Sequence, residues 1–247
     1  MQDPLEPTAL AEATHFWHRG FRAYVAPIIG EIAGDRRDLR ILDCGCGTGY
    51  NLAHLLKPYG RTFGFDFSPW GVSQARGRGR PIVRASIERI PFASQSIDLA
   101  TSFDVLQSVP GDGAAVREIA RVLRPGGYAV LSASAFEWLR GDHSELWAEV
   151  RRYTPARAAA LADGAGLQVV RLMFLFASLV PLILAVRTAQ RMLRAVREPA
   201  GDADMVVPAK PINAALGWVV RGEAALARRV SMPFGSSLLM VVRKPAL

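Results

Sequence analysis

The chain has 247 residues and is half apolar, enough for one sizeable core with a modest elaboration. Its two cysteines, Cys44 and Cys46, exclude a disulfide framework, and no second Cys/His cluster completes a zinc site, so a reducing, cytoplasmic setting is expected. The net charge of +8 would suit nucleic acid or anionic lipid, but Lys57, Lys210 and Lys244 are the only lysines and the arginines are spread without a basic block, so nucleic acid is not the expected partner.

Residues 1–20 are acidic and lack the apolar stretch of a signal peptide. Residues 8–33 read as helical, rich in aromatics and histidine. "RILDCG" is a short apolar strand running into glycines, and "YNLAHLLKP" a helix stopped by Pro58. "RTFGFDF" is a strand. "SPWGVSQAR" is a helix capped by Ser68, with Pro69 at its first position. "PIVRASI" and "IDLATSFDV" are strands, and "AAVREIARVLRPGG" is a helix with a Pro-Gly-Gly stop. "YAVLSAS" is a strand, "TPARAAALADGAG" a Thr-capped helix, and "GLQVVRLMF" a strand. Alternating strands and helices predict a parallel sheet in an α/β layer fold. The rhythm then changes to two successive helices, 178–197 and 212–230, before a last strand in "SSLLMVVRKP". The most apolar run, Leu172–Val186, is too short to span a bilayer and is interrupted by Pro181. It reads as core or as a greasy lid, with a peripheral membrane contact through 172–197 as the other reading.

Gly45, Gly47 and Gly49 stand between a strand and a helix. There glycine permits a sharp turn and close approach of a ligand to backbone, and the helix start offers free N–H groups. The spacing in "DCGCGTG" is G-x-G-x-G after Asp43, not the G-x-G-x-x-G of dinucleotide loops, and no lysine succeeds it to make a P-loop. This stretch resembles the first motif of class I S-adenosylmethionine-dependent methyltransferases, in the broad type 11 group. "FGFDFS" is similar to the second motif of that family, whose acid, here Asp66, binds ribose hydroxyls; one carboxylate can accept from both. "ASIERIPFASQSIDLATSFDVLQSV" is similar to the segment from the adenine-binding turn into strand four, and "REIARVLRPGGYAVLS" to the helix, turn and strand after it. The resemblance covers about residues 38–135.

The resemblance implies S-adenosylmethionine as cofactor. It implies a seven-stranded, mostly parallel sheet with helices on both faces, an antiparallel last strand and a helical cap. Asp43, Gly45, Cys46, Gly47, Gly49, Asp66, Phe67, Ser86, Ile87 and Phe103 are the implied cofactor residues, the cysteines being small fillers of the loop. Ser86 stands where the family often has an aspartate. Arg19, on an N-terminal lid helix, is the candidate for the methionine carboxylate. Trp17, His18 and Tyr153 are candidates for the acceptor side, and His143 is the candidate general base, since histidine as a residue type titrates near neutral pH.

The expected organisation is a helical lid over 1–37, an α/β core over 38–177, an inserted helical cap and substrate region over 178–235, and the final core strand over 236–247. The expected activity is methyl transfer to a small, hydrophobic organic acceptor at oxygen or carbon. A nucleic-acid or protein methyltransferase and a non-catalytic scaffold are the rivals. The first is disfavoured because strand four ends in "SFDVLQ" rather than N-P-P-[YF]. An NAD enzyme is a weaker fourth.

Overall fold

The computed structural model describes residues 3, 5–193 and 206–246. Among them seven strands form one sheet: β1 (Leu39–Cys44), β2 (Gly60–Asp66), β3 (Ile82–Arg84), β4 (Ile97–Phe103), β5 (Leu123–Ser134), β6 (Gln168–Leu175) and β7 (Ser237–Arg243). Their order is β3-β2-β1-β4-β5-β7-β6, and every pairing is parallel except those of β7 with β5 and β6. The strand order reverses between β1 and β4, so a crevice opens beyond their carboxyl ends. β1, β4 and β7 are buried almost throughout. Near-continuous apolar strands of this kind require helices on both faces.

The eight helices among the described residues are α1 (Leu5–Ala11), α2 (Phe16–Ala33), α3 (Pro69–Gly77), α4 (Asp112–Val122), α5 (Asp142–Leu146), α6 (Pro155–Asp163), α7 (Val180–Leu193) and α8 (Lys210–Leu226). One core layer joins the sheet to α4 and α6 through Val116, Ile119, Ala158 and Ala162. The other joins it to α2, α3 and α8 through Val25, Ile29, Val72 and Val220.

Helix α8 packs behind α2 and secures it. The Asn213 side chain accepts from the Phe16 amide at 2.8 Å and donates to the Thr14 carbonyl at 3.0 Å, so α8 caps the start of α2. Glu223 accepts from the amides of Ala177 and Ser178 at 2.7 and 2.8 Å, holding the turn that leads into α7.

Three local expectations change. The region 8–33 is two helices, broken at 12–15 where His15 turns to cap α2. "NLAHLLKP" winds as a wide π-type turn over Leu52–Leu56 and a tight turn over Lys57–Tyr59, because Pro58 cannot donate an amide to a continued α-helix. The Pro-Gly-Gly stop is already strand: β5 begins at Leu123, five residues before the expected start. Of the expected helix 178–197, the stretch with Arg194 and Arg197 lies outside the described residues, as does most of the loop after it.

A Cβ on Gly20 would stand 2.3 Å from Cγ1 of the buried, stiff Val220. Gly20→Ala is therefore expected to cost about 1–3 kcal/mol by overpacking, read as a lowered denaturant midpoint.

Candidate active site

A cavity of about 750 Å³ lies at the strand reversal. Its floor is the loop after β1. Gly45, Gly47 and Gly49 all have positive φ (79°, 52° and 76°), which explains why glycine recurs there. The amides of Gly45 and Cys46 both donate to the Phe65 carbonyl at 2.9 Å, tying the loop to the end of β2. A Cβ on Gly45 would meet Val105 Cγ2 at 2.4 Å. Gly49 serves a different end from the one expected. It does not line the cavity; its missing Cβ lets Ala75 of α3 approach, at 2.9 Å from where that atom would be.

Two carboxyls define the polarity of this floor. Asp66 ends β2 and accepts from the Gly47 amide at 2.7 Å and the Ser68 amide at 2.9 Å. Burial nevertheless raises its carboxyl above the ordinary range. Asp43 accepts from the Thr101 hydroxyl at 2.7 Å. Burial pushes it up to about 7, the Thr101 hydroxyl pulling it back and the neighbouring Asp66 adding to the rise. The same burial pushes both cysteine thiols up, so neither is a thiolate near neutral pH. Cys44 and Cys46 are packing residues at this junction.

Helices α1 and α2 form the roof. Asp3, Leu5, Thr8 and Glu12 face the glycine loop, and Trp17, His18, Phe21 and Arg22 continue the lining. The roof is fastened to the floor. Glu12 accepts from the Thr48 hydroxyl at 2.5 Å and from Arg78 at 2.6 Å, while Arg78 also donates to the Thr48 carbonyl at 2.9 Å. Tyr50 lies against the guanidinium groups of both Arg22 and Arg78, at 4.7 and 5.3 Å from its ring centre. The expected carboxylate-binding residue Arg19 is exposed and outside the lining, its position on α2 turning it to solvent. Arg22, three residues on, is the arginine that lines the cavity.

The far half is built by the end of β4 and by the segment after β5. That segment leaves the sheet at Ala135 and returns at Tyr153, where the Tyr153 amide donates to the Ser134 carbonyl at 2.8 Å. Inside it, Glu149 and Arg152 pair at 3.0 Å, both buried, and Glu149 also accepts from the Ser134 hydroxyl at 2.6 Å. This closed loop carries His143, Trp147 and Glu149 to the cavity wall. Tyr153, expected on the acceptor side, is core: its hydroxyl pairs with the Leu106 carbonyl at 3.1 Å and with Asp112 at 3.0 Å, and it does not line the cavity. Nor does any described residue of 178–235. The expected cap backs α2 rather than covering the site.

Sequence reasoning missed Asp104 and Gln107. Asp104 comes directly after β4 with φ +55°, a strained position for a residue with a side chain. It accepts from the Ser132 hydroxyl at 3.1 Å and is open to the cavity. The enclosing walls push its carboxyl up to about 6, with Ser132 opposing and Glu149 assisting. The buried Gln107 presents a side-chain oxygen with no partner among the described residues, as Trp147 does with its indole N–H. Both line the cavity, so polar ligand atoms are wanted there. "FDVLQ" held both Asp104 and Gln107, but nothing in it signals a positive φ. Trp17, His18, Cys46, Phe67, Ser86, Ile87 and Phe103 all line the same cavity. His18 is held neutral, its pKa pushed down to about 3 by burial and by His15, Arg22 and His143 nearby.

Residues 42–131 match the family model described as a methyltransferase domain. Over this stretch the chain is similar to S-adenosylmethionine-dependent methyltransferases. The chain is 33% identical over 111 residues to a demethylmenaquinone methyltransferase of Corynebacterium kroppenstedtii, covering 45% of each. It is 31% identical over 134 residues to a malonyl-[acyl-carrier protein] O-methyltransferase of Hahella chejuensis, covering 51% of this chain and 48% of that one. It therefore spans about half the length of these relatives or less. An S-adenosylmethionine-dependent methyltransferase of Mesorhizobium loti has the same fold, with a TM-score of 0.55, 17% identity, and coverage of 88% of this chain and 96% of that one. The residues present fit the cofactor of this domain family. Gly45 and Gly47 bring bare backbone to the cavity floor, Asp66 faces the cavity, and Ser86 and Ile87 stand at the turn beyond β3.

Asp43 gives the apo domain a pH signature. Its carboxyl holds its proton more tightly folded than unfolded. Between its ordinary value of 3.8 and about 7 the folded state therefore carries more protons, and this group's contribution to stability falls as pH rises. The slope is at most about 1.4 kcal/mol per pH unit. Asp43→Asn should flatten the loss of stability across that window, as measured by denaturant unfolding at its two ends.

Proposed function

We propose that the protein transfers a methyl group from S-adenosylmethionine to a small, largely apolar organic acceptor, at oxygen or carbon. The observation that carries this reading is one cavity with two unlike halves: a glycine floor with Asp43 and Asp66, and an aromatic end with Trp17, Phe103 and Trp147. When bound, the cofactor supplies a methyl group activated by a sulfonium. The chain's own residues supply position and largely apolar walls. Gly45, Gly47, Asp66, Ser86 and Ile87 would hold it, with Arg22 near its charged end.

On the acceptor side, Gln107 and Trp147 offer an acceptor and a donor to a polar group on an otherwise apolar molecule. That pattern suits a hydroxylated ring or chain. One relative is named for demethylmenaquinone and another as an O-methyltransferase of malonyl-[acyl-carrier protein], in keeping with a small organic acceptor. An acceptor hydroxyl must lose its proton. His18 is too weak a base at a pKa of about 3. Asp104 and His143 are the bases proposed, Asp104 in the lead because Ser132 orients its carboxylate while it stays open to the cavity.

Calorimetry with S-adenosylmethionine, S-adenosylhomocysteine, NAD and ATP tests the first half of the proposal. Heat is expected from the first two alone, and Asp66→Ala should weaken both by about tenfold or more. Binding of NAD alone would overturn it. With an acceptor found by screening hydroxylated apolar compounds, turnover should fall below about pH 6 as Asp104 takes a proton. Asp104→Asn should remove that limb and lower kcat by about a hundredfold or more, leaving cofactor affinity intact. If His143→Ala does this and Asp104→Asn does not, the base is His143.

A further inference from the structure

Helix α8 is built inside out. Every exposed position from Pro211 to Leu226 is apolar, including Ile212, Ala215, Trp218, Val219 and Leu226. Trp218 is 72% exposed and Ile212 56%. Its one acid, Glu223, is buried against the backbone of Ala177 and Ser178. Helix α7 is inverted in part: Leu182, Val186 and Met192 face solvent beside Thr188 and Arg191, while Arg187 and Gln190 are buried and bonded to each other at 2.9 Å. Scattered exposed apolar side chains are ordinary, but a whole helix face of them marks a contact surface.

Among the described residues of α8 and the turn after it, the exposed charges are of one sign. Lys210 opens α8, Arg228 and Arg229 stand just past its end, and all three are exposed. Arg221 lies over the Trp218 ring at 4.6 Å, placing a cation beside the most exposed aromatic of the face. A second copy of the chain would bring these cations against one another. An anionic lipid surface would neutralise them while taking up the apolar side chains. No helix among the described residues is long and apolar enough to cross a membrane, so the geometry is that of a helix lying in the interface plane.

We propose that the outward face of α8 docks the protein on anionic lipid bilayers. Trp218, Ile212 and Leu226 enter the headgroup boundary, and Lys210, Arg228 and Arg229 meet the phosphates. The inference is independent of the methyl-transfer reading, since no residue of α8 lines the cavity.

Flotation of the full chain with vesicles tests it. The protein should bind vesicles of mixed phosphatidylglycerol and phosphatidylcholine about tenfold or more tightly than phosphatidylcholine alone, and high salt should weaken that binding. The pair Ile212→Ser and Trp218→Ser should reduce it by about tenfold or more with the melting temperature unchanged, since both side chains are exposed. Arg228→Gln with Arg229→Gln should weaken binding to anionic vesicles only. The proposal is overturned by no binding to anionic vesicles or by binding that the Ile212/Trp218 pair leaves intact. It is equally overturned by a stable dimer in light scattering that this pair dissociates, because a second copy would then own the face.

Discussion

The carboxylate of Asp66, held between the amides of Gly47 and Ser68, is the constraint on which the site depends. It sits where β2 ends and the chain turns into α3, so one side chain fixes the glycine loop against the neighbouring strand. The loop then closes over Asp43, whose Thr101 partner belongs to β4, on the far side of the strand reversal. Three adjacent strand ends are thereby joined through two acids. Each acid is costly to bury, and each is stabilised by hydrogen bonds rather than by a cation. A site assembled this way has unspent negative potential, which a ligand carrying a sulfonium would use.

That potential contrasts with the chain as a whole. The net charge is +8, yet the cavity lining contains Asp3, Glu12, Asp43, Asp66, Glu88, Asp104 and Glu149 against one guanidinium, that of Arg22, among the described residues. Many arginines act elsewhere as caps for structure. Arg121 donates to the carbonyls of Phe92 and Ile90, Arg151 to that of Pro110, and Arg36 pairs with the buried Asp98. Their planar, multi-donor groups suit loose carbonyls that a helix or strand cannot satisfy. Total charge was therefore a poor guide to the site.

The sheet was legible because its signals are local: apolar runs bounded by glycine and proline, and a glycine spacing that only a tight strand-to-helix turn requires. Asp43 and the loop glycines came from one stretch, and Asp66 from the end of the next strand. What sequence could not give was direction. Arg19 and Arg22 are both arginines of one helix, and only the packing of α2 on α8 decides which faces the cavity. Tyr153 looked like a site residue because it shares the segment after strand five with His143, but the return of the chain to β5 turns it into the core. The inserted helices read as a cap because insertions there often are one. Arg187, Gln190 and Glu223 on them face inward, against the usual pattern, so periodicity alone could not say which side of α2 they occupy.

The roof has a kinetic consequence. Asp3, Leu5, Thr8 and Glu12 line the glycine end of the cavity, and Glu12 is bonded to Thr48 of the loop itself and to Arg78 behind it. Opening of α1 would uncover the space over Gly47, so the bonds of Glu12 bear on exchange at that end of the cavity, whereas the floor below bears on how well its contents are held.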